Sequence, residues 1–337
     1  MSSIAIPNTM QAMVLDQLRQ PLALKTLPTP VPGTGQVLIK VIACGICRTD
    51  LHIVDGELPT SMLPLIPGHE VIGEVVLTGP GVKKMTTGRM VGIPWLAHTC
   101  GHCKYCTQGQ ENLCEHALFT GYTVNGGYAE YLVAWEDFCI DLPAMYADPG
   151  GAPMLCAGLI GYRCWHMLPE HAINIGIYGF GAAAHIITQI AHYQYKSIYA
   201  FTKPHDGKGE LFAMEMGAVW AGSSLVAPPI LLDAAIIFAP DGSLVPIALS
   251  HLDKGGAVIC GGIHMSDIPG FKYSALWQER SIRSVANLTR EDGRRLFEIA
   301  PQIPVMTKVQ CFPLSAANEA LTALRNGAFS GAAVLVM

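Results

Sequence analysis

The rhythm of apolar and polar positions changes twice along this chain. Over residues 37–46 (VLIKVIACGI) and 69–79 (HEVIGEVVLTG), β-branched residues run in short blocks between turn formers, which predicts strands. Residues 121–134 (GYTVNGGYAEYLVA) place an Asn-Gly turn before a further strand. The chain up to residue 157 therefore reads as β-rich and punctuated by Gly and Pro. From 158 to 290 short apolar strands alternate with helical stretches. NIGIYGFG (174–181) is a strand running into a glycine turn, AAAHIITQIAHYQY (182–195) has helical spacing, and SIYAFT (197–202) is the next strand. Residues 233–240, 255–262 and 280–287 read as further strands. Such alternation predicts an α/β, doubly wound parallel sheet with helices on both faces. From 291 to 337 the character is mixed again. Residues 311–327 contain a helix expected to be capped by Ser315, with Glu319 nearby, and stopped by Gly327; AAVLV (332–336) ends the chain as a strand. No internal repeat or low-complexity linker interrupts this pattern.

Composition narrows the function classes. At roughly 100–200 residues per domain, a chain of 337 residues suggests two domains with ample cores. Half of the residues are hydrophobic and 14% are charged, which leaves little room for disorder. The formal net charge of −5 argues against a nucleic-acid partner. No apolar run approaches the ~20 residues that span a bilayer, so no membrane partner is expected. The opening MSSIAIPNTMQAM has no charged region ahead of an apolar stretch, so no secretory signal is expected, and a cytoplasmic, reducing setting follows. In that setting eleven cysteines call for an explanation other than disulfides.

Four of them supply it. Residues 100–114 read CGHCKYCTQGQENLC, placing Cys100, Cys103, Cys106 and Cys114 in a C-x2-C-x2-C-x7-C spacing. Four thiolates on so short a loop can close a tetrahedron around Zn²⁺, and four sulfurs leave no place for water, so this site is read as structural. Only Lys104 is basic in the loop, which argues against a nucleic-acid zinc module.

A second set has a different character. Residues 44–52 read CGICRTDLH and 67–74 read PGHEVIGE. A catalytic zinc takes about three protein ligands and keeps one position open. Cys47 and His69 are candidates, with the isolated Cys156 as a third. Asp50 is placed to hydrogen-bond the second nitrogen of His69 and fix its tautomer. Thr49 and His52 are candidates to pass a proton from a buried alcohol to water. Cys44 reads as a packed core thiol. For dinucleotide binding, Gly179-Phe180-Gly181-Ala182-Ala183-Ala184 is a G-x-G-x-x-A turn between a strand and a helix. Gly179 permits the tight turn, Gly181 lets the backbone approach a pyrophosphate at the helix start, and Ala184 replaces the third glycine. About twenty residues on, an NAD site wants an acidic residue. Here the strand ends Phe201-Thr202-Lys203, and the nearest carboxylate, Asp206, lies beyond Pro204. A hydroxyl and a cation suit a 2′-phosphate, so NADP(H) is favoured over NAD(H).

In this order, over essentially the whole chain, C-G-x-C-x-T-D-x-H, G-H-E-x-x-G, the cysteine lobe, the late cysteine and the dinucleotide turn resemble the zinc-dependent alcohol dehydrogenases of the medium-chain dehydrogenase/reductase superfamily. The resemblance implies a GroES-like catalytic domain (1–157), a Rossmann-type dinucleotide-binding domain (158–290) and a return to the catalytic domain (291–337). It implies two zinc ions per chain: a catalytic one held by Cys47, His69 and Cys156, with Glu70 beside it, and the structural one in the lobe. It makes Thr49 and His52 the proton relay, Arg48 a contact of the cofactor pyrophosphate, and Trp95 an aromatic wall of the substrate pocket. The strand end 201–203 resembles the NADP-using cinnamyl alcohol dehydrogenase branch. The chain departs from many relatives at Gly331-Ala332-Ala333, where they carry a phosphate-binding Arg. The expected activity is hydride transfer between a small-molecule primary or secondary alcohol, or an aldehyde, and NAD(P), in a homodimer or homotetramer. The rival readings are a zinc-free quinone or enoyl reductase on the same fold, which the joint presence of Cys47, His69 and Cys156 opposes, and a non-catalytic dinucleotide-binding protein.

Overall fold

The computed structural model describes residues 5–58, 62–328 and 331–337. The first four residues of the stretch considered for a signal lie outside the described residues. The chain divides into two units: Met1–Cys156 with Leu288–Pro301 and Met306–Met337, and Ala157–Asn287 with Gln302–Val305.

The spine of the first unit is the strand Gln36–Ile46, whose apolar residues are almost all buried. On one side it pairs antiparallel with Glu70–Thr78, and on the other with Ala332–Val336 near one end and Tyr131–Trp135 near the other. The sheet order runs Val309–Pro313, Ala332–Val336, Gln36–Ile46, Glu70–Thr78, Met90–Ile93, Ile140–Asp141. Strand register brings two candidate ligands to one place. Gly45 lies opposite Glu70, so Cys47 and His69, the residues just off these strand ends, leave the sheet at the same edge.

Two expectations fail in this unit. Ser315 does not cap the late helix. It sits inside a 3-10 turn, Leu314–Ala316, and the helix Ala317–Arg325 starts after Ala316 with no side-chain cap. The strand Val309–Pro313 runs straight into that turn, which uses up the residues a cap would need. Gly327, at φ +62 just beyond the helix, does stop it. The Asn125-Gly126 pair, read as a turn ahead of the strand that forms at Tyr131–Trp135, instead begins a close backbone crossing. Gly126 N–H donates to Ile66 O at 2.7 Å, Gly127 N–H to Gly68 O at 2.9 Å, and Tyr128 N–H to Pro67 O at 2.9 Å. A Cβ on Gly126 would sit 2.1 Å from Gly68 O, so glycine serves close approach here.

The second unit is a six-stranded sheet in which every pairing is parallel. Its order is Trp220–Ser223, Ser197–Thr202, Asn174–Tyr178, Leu232–Ile237, Leu252–Cys260, Ser281–Ser284. The order reverses between Asn174–Tyr178 and Leu232–Ile237, the switch point beside which dinucleotides bind in doubly wound sheets. Fully buried Ile and Val fill the middle strands, and Tyr178 stacks on Phe201 with ring centroids 4.1 Å apart. Among the described residues, no helix is long and apolar enough to cross a membrane.

Candidate active site and metal centres

Three chain segments converge at the sheet edge where Cys47 and His69 emerge. Cys47 is the N-cap of the helix Arg48–Val54: its thiol accepts from Thr49 N–H at 3.3 Å, and its own N–H donates to Asp50 Oδ2 at 2.9 Å. This capping box fixes Cys47 and Asp50 relative to each other. His69 follows Gly68, whose φ of +96 and whose contact with the Tyr128 ring both demand glycine. Cys156 ends the 3-10 stretch Pro149–Leu155. Cys47 Sγ lies 3.1 Å from His69 Nε2 and 3.9 Å from Cys156 Sγ. The ligand atoms of Cys47, His69, Glu70 and Cys156 all lie within 4.8 Å of one another. Glu70 reaches this group because residue 45 is glycine: a Cβ there would sit 1.9 Å from Glu70 Oε2.

The set fits Zn²⁺. Sulfur and imidazole are its preferred donors, and tetrahedral coordination at a Zn–S distance of about 2.3 Å places sulfurs about 3.8 Å apart. Asp50 and His69 are both fully buried. Asp50 Oδ1 faces His69 Nδ1 at 3.2 Å, although neither atom is aligned as a full hydrogen bond. The charges are strongly coupled. The hydrogen bond from Cys156 holds the Cys47 thiol well below its usual pKa, with the His69 imidazole assisting, and Cys156 is held well up in turn. Burial pushes the Glu70 carboxyl well up, and burial also raises Asp50. Burial opposes charge on His69, but Cys47 and Asp50 outweigh it and push its pKa well up. Four acidic groups, Cys47, Cys156, Glu70 and Asp50, gathered around one buried imidazole is an arrangement that a divalent cation relieves.

Around this centre, His52 Nδ1 lies 2.5 Å from Glu57 Oε2, and the Glu57 side chain is 51% exposed. Glu57 escaped the sequence reading because it lies past the helix end and the turn at Gly56, where spacing rules give no contact; only a carboxylate five residues after a candidate relay histidine hinted at it. Trp95 meets the His69 ring edge-on at 5.0 Å and stacks on Phe119 at 5.3 Å and Tyr122 at 5.6 Å. Phe119 and Tyr122 were also missed. Arg48 is exposed on the first turn of its helix, and Thr49 is half-buried. Cys44 is a fully buried thiol pushed up by burial, in keeping with a packing role.

The four lobe cysteines form the second group. Their sulfurs lie 3.5 Å (Cys103–Cys106), 3.6 Å (Cys114–Cys100) and 4.0 Å (Cys100–Cys106) apart, bracketing the tetrahedral edge. Within the same loop, Glu111 is 4% exposed, and its Oε1 accepts from Arg290 N–H at 3.0 Å and from Arg290 Nε at 3.2 Å.

In the second unit, Gly179 adopts φ +89 at the end of Asn174–Tyr178, and a Cβ there would lie 2.9 Å from Ala239 N. Gly181 precedes the helix Ala182–Tyr193, contributes no side-chain cap, and has open space where a Cβ would be. Free helical N–H groups above an open glycine fit a pyrophosphate. Thr202 is buried, and its hydroxyl lies 3.4 Å from Lys203 O and 3.5 Å from Gly222 O, so it is engaged with backbone carbonyls. Lys203 is exposed. Asp206 is engaged as the N-cap of Gly207–Glu215, accepting from Gly209 N–H at 2.9 Å. Ala332 and Ala333 are buried in the last strand.

Known proteins are similar to this chain in sequence and in fold. The family model of the alcohol dehydrogenase GroES-like domain matches residues 33–144. The protein named "Probable alcohol dehydrogenase AdhA" of Mycobacterium tuberculosis is 43% identical over 346 residues, spanning 98% of this chain and 99% of that one. An alcohol dehydrogenase of Geobacillus stearothermophilus is 34% identical over 341 residues, spanning 97% and 99%. Among solved structures, acetophenone reductase from Geotrichum candidum in complex with NAD superposes with a TM-score of 0.85 at 26% identity, covering 99% of this chain and 98% of that one.

Proposed function

This chain belongs to the zinc-type alcohol dehydrogenases of the medium-chain dehydrogenase/reductase superfamily and is an NAD(P)-dependent alcohol dehydrogenase, and on that premise we propose how its residues divide the work. Cys47, His69 and Cys156 hold a catalytic zinc, with Glu70 close enough to approach it. Cys100, Cys103, Cys106 and Cys114 hold a structural zinc, giving two ions per chain. The observation that carries this reading is the separation of the seven ligands into two clusters, each with its donor atoms within 4.8 Å. When bound, zinc supplies Lewis-acid polarisation of a substrate oxygen, and the nicotinamide accepts or donates the hydride. The protein's own groups supply orientation and proton transfer. Asp50 orients His69. Thr49 takes the alcohol proton and hands it to His52, and the carboxylate of Glu57 on His52 Nδ1 leads toward solvent. Trp95, backed by Phe119 and Tyr122, bounds the substrate site on the His69 side.

On the cofactor side, Gly179, Gly181 and Ala182 present backbone to the pyrophosphate, and Arg48 contributes charge that Ala332 and Ala333 do not. NADP(H) is preferred. The support is the absence of a carboxylate at 201–203, the engagement of Asp206 in a helix cap, and the exposure of Lys203. Lys203, rather than the buried Thr202 hydroxyl, makes the contact. Met1–Cys156, Leu288–Pro301 and Met306–Met337 form the catalytic domain and Ala157–Asn287 with Gln302–Val305 the dinucleotide-binding domain, in a cytoplasmic homodimer or homotetramer acting on small primary or secondary alcohols and aldehydes. Elemental analysis of the purified protein tests the central assignment. Two zinc per chain are expected; a value near one that added zinc does not raise removes one site. A panel of alcohols and aldehydes assayed with NADH and NADPH side by side tests the cofactor preference and defines the substrate.

A further inference from the structure

Among the described residues, three polar atoms at the catalytic ligands make no aligned hydrogen bond, although the Asp50 and His69 atoms of this set face each other at 3.2 Å. They are Asp50 Oδ1, His69 Nδ1 and the Tyr128 hydroxyl, and all three residues are fully buried. A buried polar group left unsatisfied is costly. Three such groups around one metal ligand therefore point to a shared function.

The backbone crossing at 125–128 explains why the tyrosine is there. Asn125 Oδ1 accepts from Ile66 N–H at 3.1 Å, and the two glycines after it let the segment run directly over 66–68. A Cβ on Gly127 would lie 2.2 Å from Val71 Cγ2, and one on Gly68 would lie 2.3 Å from Tyr128 Cδ1. The crossing thus presses the Tyr128 ring onto the residue that precedes His69. Asp50 Oδ1 faces the Nδ1 of that histidine at 3.2 Å. The other oxygen of Asp50 is already held by Cys47 N–H, so Oδ1 is the one with unused acceptor capacity.

We propose that Tyr128 is a positioning residue of the catalytic metal site, its hydroxyl supplying, directly or through one internal water, the hydrogen bond that Asp50 Oδ1 needs in order to hold the His69 imidazole. Tyr128, Asp50 and His69 then form one buried chain ending on the metal. Internal waters typically make about three hydrogen bonds to buried groups of this kind. Partners that orient a metal-bound imidazole commonly contribute 10–100-fold to metal affinity or activity.

The inference rests on the reading that Cys47, His69 and Cys156 hold zinc. The test is Tyr128→Phe, which keeps the ring over Gly68 and removes only the hydroxyl. Zinc loss to a chelator is followed by metal analysis, alongside thermal melting and kinetics. The expected result is roughly tenfold or faster loss of the catalytic zinc, unchanged retention of the lobe zinc, a lower kcat and an unchanged melting temperature. A double-mutant cycle with Asp50→Asn adds a readout that a packing role would not move: Tyr128→Phe should have little further effect on zinc retention once Asp50 has lost its charge. Wild-type retention of catalytic zinc in Tyr128→Phe overturns the proposal. So does equal loss of both zincs with a lowered melting temperature, which marks plain packing, and so does additivity in the cycle. If the wild-type protein itself holds no zinc outside the lobe, the metal assignment fails, and that outcome is separate from the others.

Discussion

Glu111→Ala is expected to destabilise the first unit through a contact 179 residues apart in sequence. Glu111 lies within the cysteine loop, and its backbone oxygen accepts the N–H of Cys114 at 3.1 Å. Its side chain, 6% exposed, grips the start of the helix Arg290–Ile299 through two hydrogen bonds to Arg290. Truncation strands the Arg290 backbone N–H. A hydrogen bond to an ionised acceptor contributes about 1.5–3 kcal/mol. The guanidinium is 46% exposed and regains water, so its contribution is discounted to below about 1 kcal/mol. The expected loss is about 1.5–4 kcal/mol. For a unit of this size that lowers Tm by roughly 3–16 °C. Differential scanning calorimetry measures it, with lobe zinc followed by a chromogenic chelator; zinc should leave the lobe faster in the variant. Glu111→Gln keeps an acceptor without charge and should lose less than half as much. A melting temperature for Glu111→Ala within about 1 °C of the wild type, with unchanged zinc release, would refute the reasoning.

Thr49→Ala should reduce turnover on the order of 10²–10⁴-fold with zinc content intact, because the role proposed for Thr49 is to move a proton and not to hold metal; ordinary activity in steady-state assays would remove it from the relay. His52→Ala and Glu57→Gln should cost less, since water can replace the outer end of the path. Lys203→Ala should raise the KM for NADPH about tenfold to a hundredfold and barely change that for NADH, as expected for one charge-assisted phosphate contact, whereas equal KM changes for both cofactors would place Lys203 elsewhere. Under chelation, activity should vanish before the fold does, because the closed four-sulfur site releases metal more slowly than an open one; simultaneous loss of activity and circular dichroism would contradict the two-site assignment.

What could be read from the sequence was what depends on neighbours along the chain. The lobe cysteines fall within fifteen residues, so their spacing alone brings four sulfurs together. The turn at Gly179 and the helix after it are equally local, whereas the capping of Asp50 onto Cys47, local as it is, went unread. Strand and helix alternation between 174 and 287 carried the parallel sheet because period and turn chemistry are local properties. Where local rules misled, a tertiary contact had taken precedence. Asn125-Gly126 has the composition of a hairpin turn, but crosses residues 66–68 because those glycines admit another backbone. Ser315 has the chemistry of a cap, but the preceding strand carries the chain past it. The remaining features belong to the folded chain alone. Cys156 comes within 3.9 Å of Cys47 from 109 residues away. Gly45 makes room for Glu70 only because strand register sets them opposite each other. Glu57, Phe119, Tyr122 and the Glu111–Arg290 contact have no periodic signature, since each depends on where a turn or a separate segment ends in space. Periodicity and spacing encode contacts between residues a few positions apart, whereas register and packing between distant segments follow from the energy of the whole fold.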